Sequence, residues 1–221
     1  VTMGDYLRDL GVQTALVGKT HMKADAEGMA RLGIDPESLI GTRVSECGFD
    51  PFERDDGLHP VGPAGPYHPH EPRYNQYLRD LGYEADNPWD DWANAAVDEE
   101  GNILSGWFMR HAARPARVEE PHSETPYMTG RAMAFIEQAG DTPWCLHLSY
   151  IKPHWPYIVP APYHDMYDAS DVIPVNRGES ERSSTHPLSQ AYMRHRVSEV
   201  FCRQGVREAV IPAYMGLIKQ I

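Results

Sequence analysis

Apolar residues recur at Met3, Tyr6, Leu7 and Leu10, the i, i+3, i+4, i+7 spacing that lines one face of a helix. Thr2 can cap that helix, and Gly11 supplies the left-handed position that ends it. Thr14-Ala15-Leu16-Val17 follows as an unbroken run without charge, suited to a strand covered on both faces. The same logic returns later in the chain. Met128, Ala132, Phe135, Ile136 and Ala139 predict a second helix, Gly140-Asp141-Thr142-Pro143 a turn, and Trp144 to Tyr150 a second strand. Repeated helix-to-strand units predict an α/β fold, a mostly parallel or mixed sheet flanked by helices. A last stripe, Val210, Tyr214, Leu217, Ile218 and Ile221, predicts a helix that tolerates Pro212 only near its first turn.

Residues 43–126 break this rhythm. They are rich in Pro, Gly, Asp and His, and only Tyr74, Tyr77, Leu78 and Leu81 show helical spacing. The expected organisation is one partial α/β domain over residues 1–221, with 43–126 as a loop-rich insertion forming part of the rim of a site. The hexapeptide Tyr6-Leu7-Arg8-Asp9-Leu10-Gly11 recurs as Tyr77-Leu78-Arg79-Asp80-Leu81-Gly82, but the flanks do not match. It reads as a generic surface-helix ending rather than as a duplication. A helix starts at once after Val1 and the last stripe runs to Ile221, so the sequence is expected to be an internal piece of a longer protein.

Charge narrows the function. With 20 Lys and Arg against 32 Asp and Glu, the net charge of −12 disfavours nucleic acid as a partner. No apolar run approaches the ~18 residues of a membrane span, so no membrane partner is expected. Cys47, Cys145 and Cys202 are too few and too scattered for a disulfide framework or a thiolate zinc site, which with no leader in the sequence favours a cytoplasmic location, a periplasmic or secreted one staying open if a leader was lost. Homo-oligomerisation is left open.

The chemistry-bearing residues follow the two strands. Gly18-Lys19-Thr20-His21 comes after Val17, and Ile151-Lys152-Pro153-His154-Trp155-Pro156-Tyr157 comes after Tyr150. Ligands of open α/β sheets bind outside the carboxyl ends of strands. Adjacent parallel strands would bring Lys19, His21, Lys152 and His154 to one rim. An ammonium suits a tetrahedral oxyanion, and a neighbouring imidazole can protonate a leaving oxygen. Solvated lysines and satisfied loop histidines are the competing reading. His68-Pro69-His70 with His59 or His122 could be imagined around zinc, but no His-Glu-x-x-His or Cys-x-x-Cys spacing supports it, and no metal ligand is assigned. His147 reads as a neutral imidazole in a strand. Trp89, Trp92, Trp107 and Trp155 divide between packing and an aromatic substrate wall, while Asp90-Asp91 and Asp98-Glu99-Glu100 read as solvated acidic faces.

Gly11, Thr14, Ala15 and Gly18-Lys19-Thr20-His21 resemble the second sulfatase signature, which commonly reads Gly-Tyr-x-Thr-x-x-x-Gly-Lys-Trp-His. Residues 143–157 are similar to the strand and Pro-His-x-Pro loop of the same enzymes, and Pro160-Ala161-Pro162-Tyr163 and Tyr214 add to the likeness. The resemblance is to the alkaline-phosphatase-like superfamily, in its sulfatase and phosphonate monoester hydrolase branch. It runs from Thr2 to Ile221 and is specific around residues 11–22 and 143–163. It implies hydrolysis of sulfate monoesters, or alternatively of phosphonate or phosphate esters, or in a different class a non-catalytic relative that binds an anion or a protein. It also implies a formylglycine nucleophile and a divalent metal, usually calcium, both outside this chain. On the matching positions, Lys19, His21 and His154 would be catalytic: Lys19 on the nucleophile and an ester oxygen, His21 on the formylglycine hydroxyl, His154 at the leaving oxygen. Lys152 and Trp155 would line the small anionic ester. Two departures weigh on this: Thr20 stands where the signature has Trp, and none of the cysteines sits in a Cys-x-Pro/Ala-x-Arg motif. Residues 1–221 alone are therefore expected to be inactive.

Overall fold

A computed structural model describes residues 2–20, 22, 25–55, 57, 73–176 and 178–221. Its helices are α1 (Met3–Asp9), α2 (Ala26–Arg31), α3 (Leu39–Ser45), α4 (Arg73–Asp80), α5 (Glu124–Ala139), α6 (Glu179–Arg182), α7 (Pro187–Arg194), α8 (Arg196–Phe201) and α9 (Val206–Gln220). Its strands are β1 (Gln13–Gly18), β2 (Asp50–Arg54), β3 (Ala95–Val97), β4 (Ile103–Ser105) and β5 (Trp144–Ser149). The chain divides into two compact units, residues 1–89 with 121–151, and residues 90–120 with 152–221.

The first unit holds a parallel sheet in the order β2-β1-β5. Central β1 is buried from Thr14 to Gly18, which is why its sequence is an unbroken run rather than an alternation. Neighbouring side chains of a strand face opposite ways, and each face finds a helix. Ala15 packs with Phe135 and Ala139 of α5, joined by Phe52 and Leu146. On the other side Thr14 accepts a hydrogen bond from Arg8 of α1 at 3.3 Å, and Arg8 also donates to the Gly48 carbonyl. The predicted helix-to-strand units, α1 with β1 and α5 with β5, are both present.

The stripe on α1 faces the other way from a packing face. Met3, Tyr6 and Leu10 are exposed, at 60%, 64% and 79%, and the buried residue of the helix is Gly4. A Cβ at Gly4 would lie 2.3 Å from the Gly48 backbone, and the Gly4 amide donates to the Cys47 carbonyl. Backbone-to-backbone approach, available only where a side chain is missing, outweighs the apolar stripe here. On α5 the expectation holds: Met128, Ala132, Phe135 and Ala139 are buried.

In the second unit, β3 and β4 form an antiparallel hairpin whose turn is closed by the Asp98 carboxylate, accepting from the Asn102 backbone and side-chain amides. Residues 115–118 run alongside, with Ala116 donating to the Val159 carbonyl and Arg117 to that of Ala95. Ala112, Val210 and Ala213 form a core with Met109, Tyr157, Phe201 and Val206. Because α9 starts at Val206, Pro212 lies inside the helix, beyond the first turn to which the sequence confined it. Residues 43–126 contribute to both units rather than forming one body, and their stretch 50–54 is the edge strand β2.

Candidate anion site

The turn after β1 is fastened on both sides. Gly18 has φ +100°, and a Cβ there would fall 1.9 Å from the Ser149 carbonyl oxygen, so β1 and β5 close on each other only because position 18 carries no side chain. The Lys19 amide donates to that Ser149 oxygen at 3.0 Å, and the Asp55 amide donates to Gly18 O at 3.2 Å. The turn is thus set at the carboxyl ends of three neighbouring strands. Lys19 is half-buried, and its ammonium has no hydrogen-bond or ion-pair partner among the described residues.

Beyond Lys19 the chain turns inward. The Thr20 hydroxyl donates to Glu46 Oε2 at 2.6 Å, Arg54 Nε donates to Glu46 Oε1 at 2.9 Å, and Arg54 Nη2 reaches the Thr20 carbonyl at 3.4 Å. The Arg54 and Glu46 side chains are 1% and 0% exposed. Glu46 and Arg54 escape a sequence reading, since nothing in the local pattern of either marks a partner. His21 lies outside the described residues, as do His59, His68 and His70.

Nearby, the buried Glu53 carboxylate accepts from Arg131 Nε at 2.9 Å and from the Tyr127 hydroxyl at 3.1 Å, with Arg73 at 3.6 Å. Burial, and then the Glu53 charge, pushes the Tyr127 phenol well up. Burial, followed by the charges of Glu124 and Asp55, does the same to Tyr74. His122 is engaged by tyrosine, its Nδ1 lying 2.8 Å from the Tyr83 hydroxyl, and the half-buried His147 ring meets Phe49 edge-on.

In the second unit, Lys152 is 7% exposed, and its ammonium donates to Asn94 Oδ1 at 2.6 Å and to the Pro156 carbonyl at 2.8 Å. The geometry it displays is that of a clasp across its own loop, with Asn94 a partner that sequence reasoning missed. Within that loop His154 is exposed, stacked on the Trp155 ring at 4.6 Å, and its Nδ1 lies 2.7 Å from the Trp155 carbonyl. A carbonyl can only accept, so Nδ1 is the donor in that contact.

The other tryptophans hold structure. Trp89 donates to Glu124, the Arg117 guanidinium lies 3.7 Å over Trp92, and Trp107 donates to Asp90. Asp90 is therefore more than a solvated acid: burial, with some help from Asp91, raises its carboxyl above the usual range against the hydrogen bond from Trp107.

The described residues include no group of three or more His, Cys, Asp or Glu that could hold a metal ion. The carboxylates at the strand ends are engaged by Thr20 and Arg54, by Arg131 and Tyr127, and by the Gly57 amide on Asp55. The described residues do not fit a metal. Among the described residues no helix is long and apolar enough to cross a membrane.

No protein-family model matches the chain. Over 198 residues it is 27% identical to the "Multifunctional alkaline phosphatase superfamily protein PehA" of Trinickia caryophylli, covering 88% of this chain and 34% of that protein. Among solved structures it is similar to a phosphonate monoester hydrolase from Silicibacter pomeroyi, with TM-score 0.72 and 20% identity over 98% of this chain and 40% of the other. It is also similar to the phosphonate monoester hydrolase of Agrobacterium radiobacter, with TM-score 0.69 and 20% identity over 99% and 41%. The chain thus spans about a third of the curated relative and two fifths of each solved chain. In sequence it is thus similar to a protein of the alkaline phosphatase superfamily, and in fold it is similar to two phosphonate monoester hydrolases.

Proposed function

We propose that this chain forms part of a longer hydrolase that cleaves monoanionic tetrahedral esters, phosphonate monoesters or sulfate monoesters. The observation that carries the proposal is the turn of residues 18–20. It is pinned at the carboxyl end of β1, and it presents a lysine whose ammonium is unengaged among the described residues. Phosphonate and sulfate monoesters each spread one negative charge over their non-bridging oxygens, a match for one ammonium. Retention of Lys and His in Gly18-Lys19-Thr20-His21 favours sulfate, and the likeness in fold to two phosphonate monoester hydrolases favours phosphonate.

Lys19 would offset charge that grows on the transferring group, and His154, as an imidazolium, would give its Nε2 proton to the leaving oxygen and keep the proton on Nδ1. Trp155, stacked on His154, would fix the ring plane and offer apolar surface to an aryl ester. The buried and bonded Lys152 would hold the loop that carries His154. A nucleophile and a divalent metal, implied by the resemblance, would come from the rest of the longer protein.

The test is release of p-nitrophenol from p-nitrophenyl phenylphosphonate and from p-nitrophenyl sulfate by the full-length protein, wild type against Lys19→Ala. Turnover of at least one ester is expected, falling roughly 10²–10³-fold in the variant, the range for one lost oxyanion-stabilising group. Equal rates would remove Lys19 from the site. Sulfate binding without turnover of either ester would support a non-catalytic anion-binding relative instead.

A further inference from the structure

Thr20 is a position at which this chain departs from the sulfatase signature, and the structure gives that departure a partner. The Thr20 hydroxyl is 2.6 Å from Glu46 Oε2, inside a pocket where Thr20 is 7% and Glu46 0% exposed. The other oxygen of the same carboxylate is taken by Arg54 Nε, whose Nη2 turns back to the Thr20 carbonyl. Side chain and backbone of Thr20 are therefore both fastened to one buried ion pair. The peptide before it is fastened through the Lys19 amide to Ser149 and through the Gly18 carbonyl to Asp55.

A buried ion pair is a weak source of stability compared with apolar packing, because desolvation offsets the attraction. What it supplies is geometry. A hydroxyl and a guanidinium that must both meet one carboxylate allow few arrangements of the turn. We infer that Glu46 and Thr20 are positioning residues for Lys19: the Glu46 carboxylate, held by Arg54, fixes the Thr20 hydroxyl and with it the direction in which the turn presents the Lys19 ammonium. The inference rests on the assignment of Lys19 to the ester site. It adds Glu46, Thr20 and Arg54, none of which touches the ester.

The experiment uses the full-length protein and whichever of the two aryl esters it cleaves. Variants are Thr20→Val, Thr20→Ser, Glu46→Gln, the double variant Thr20→Val/Glu46→Gln, and Lys19→Ala as reference. Thr20→Val should lower kcat/KM by roughly 10–10²-fold, the scale of a misplaced binding group, without a matching fall in the midpoint of thermal unfolding. Thr20→Ser, which keeps the hydroxyl, should restore most of the rate. The double variant should lose no more than the worse single variant, because both changes remove one contact. Amide exchange over residues 16–20 should speed up in Thr20→Val and return towards wild type in Thr20→Ser.

If Lys19→Ala loses turnover while Thr20→Val and Glu46→Gln keep it, the positioning role is overturned and the ester site stands. If Lys19→Ala keeps wild-type turnover, the ester site fails and the positioning role goes with it. Should Glu46→Gln not fold, the Thr20→Val against Thr20→Ser comparison still decides, since neither adds bulk or charge.

Discussion

The turn after β1 and the loop after β5 are both held by buried polar clasps, yet the two clasps have opposite electrostatics. At the first, a carboxylate and a guanidinium neutralise each other and a hydroxyl completes the set, while the Lys19 ammonium has no partner among the described residues. At the second, the cation itself is the clasp: the Lys152 ammonium is enclosed against an amide oxygen and a backbone carbonyl. Two lysines in similar sequence settings, each just past a strand, thus reach different ends. One is presented and the other is spent inside its loop. Which fate a lysine meets depends on the oxygens that tertiary structure brings to it.

The largest effect that bears on this contrast is chemical. His154→Ala in the full-length protein is expected to lower ester turnover roughly 10²–10³-fold, the range for a proton donor at the leaving group, with the loop intact. A wild-type rate would reduce the second loop to a structural element. Next in size are the clasps. Glu46→Ala leaves the Arg54 guanidinium buried without its carboxylate and should cost about 3–5 kcal/mol. Asn94→Ala removes one neutral acceptor from Lys152 and should cost about 1.5–3 kcal/mol, the range for a hydrogen bond to a charged group. Denaturant titration of the two variants checks the order; a cost for Asn94→Ala equal to that for Glu46→Ala would erase the distinction between the clasps.

The smallest effect concerns the Asp90 carboxyl, which has no ion pair among the described residues. Asp90 has its folded-state value raised by burial, with Asp91 adding to the shift, so the stability it contributes is present below the ordinary carboxyl range and is lost as pH rises through the raised value. Asp90→Asn keeps an acceptor for Trp107 and should flatten the fall in stability between mildly acidic and neutral pH. At neutral pH the gain should stay within about 0.5 kcal/mol, since solvent screens a half-buried acid. A steeper pH dependence in the variant would reverse the assigned sign.

Much of the first unit is legible in the sequence because burial on both faces leaves a local trace. Thr14 to Val17 show it as an uninterrupted run, and α5 shows it as Met128, Ala132, Phe135 and Ala139 on one side. The packing face of α1 leaves a misleading trace, since a glycine contact carries no hydrophobic signal and the visible stripe of Met3, Tyr6 and Leu10 faces outward. The site divides in the same manner. Lys19 and His154 are proposed from their place after a strand and from the family resemblance. Glu46, 26 residues from Thr20, and Asn94, 58 residues from Lys152, are partners that only folding brings near. Residues 43–126, read in the sequence as a loop-rich insertion, divide between the two units.

The missing side chain at position 18 governs how this protein can change. Exchanging Lys19 would change the charge that the turn offers while leaving two strand ends in place. Any residue larger than glycine at 18 would wedge the Ser149 carbonyl away and move the lysine without touching it. Change at this turn therefore has an open route at position 19 and a closed one at Gly18.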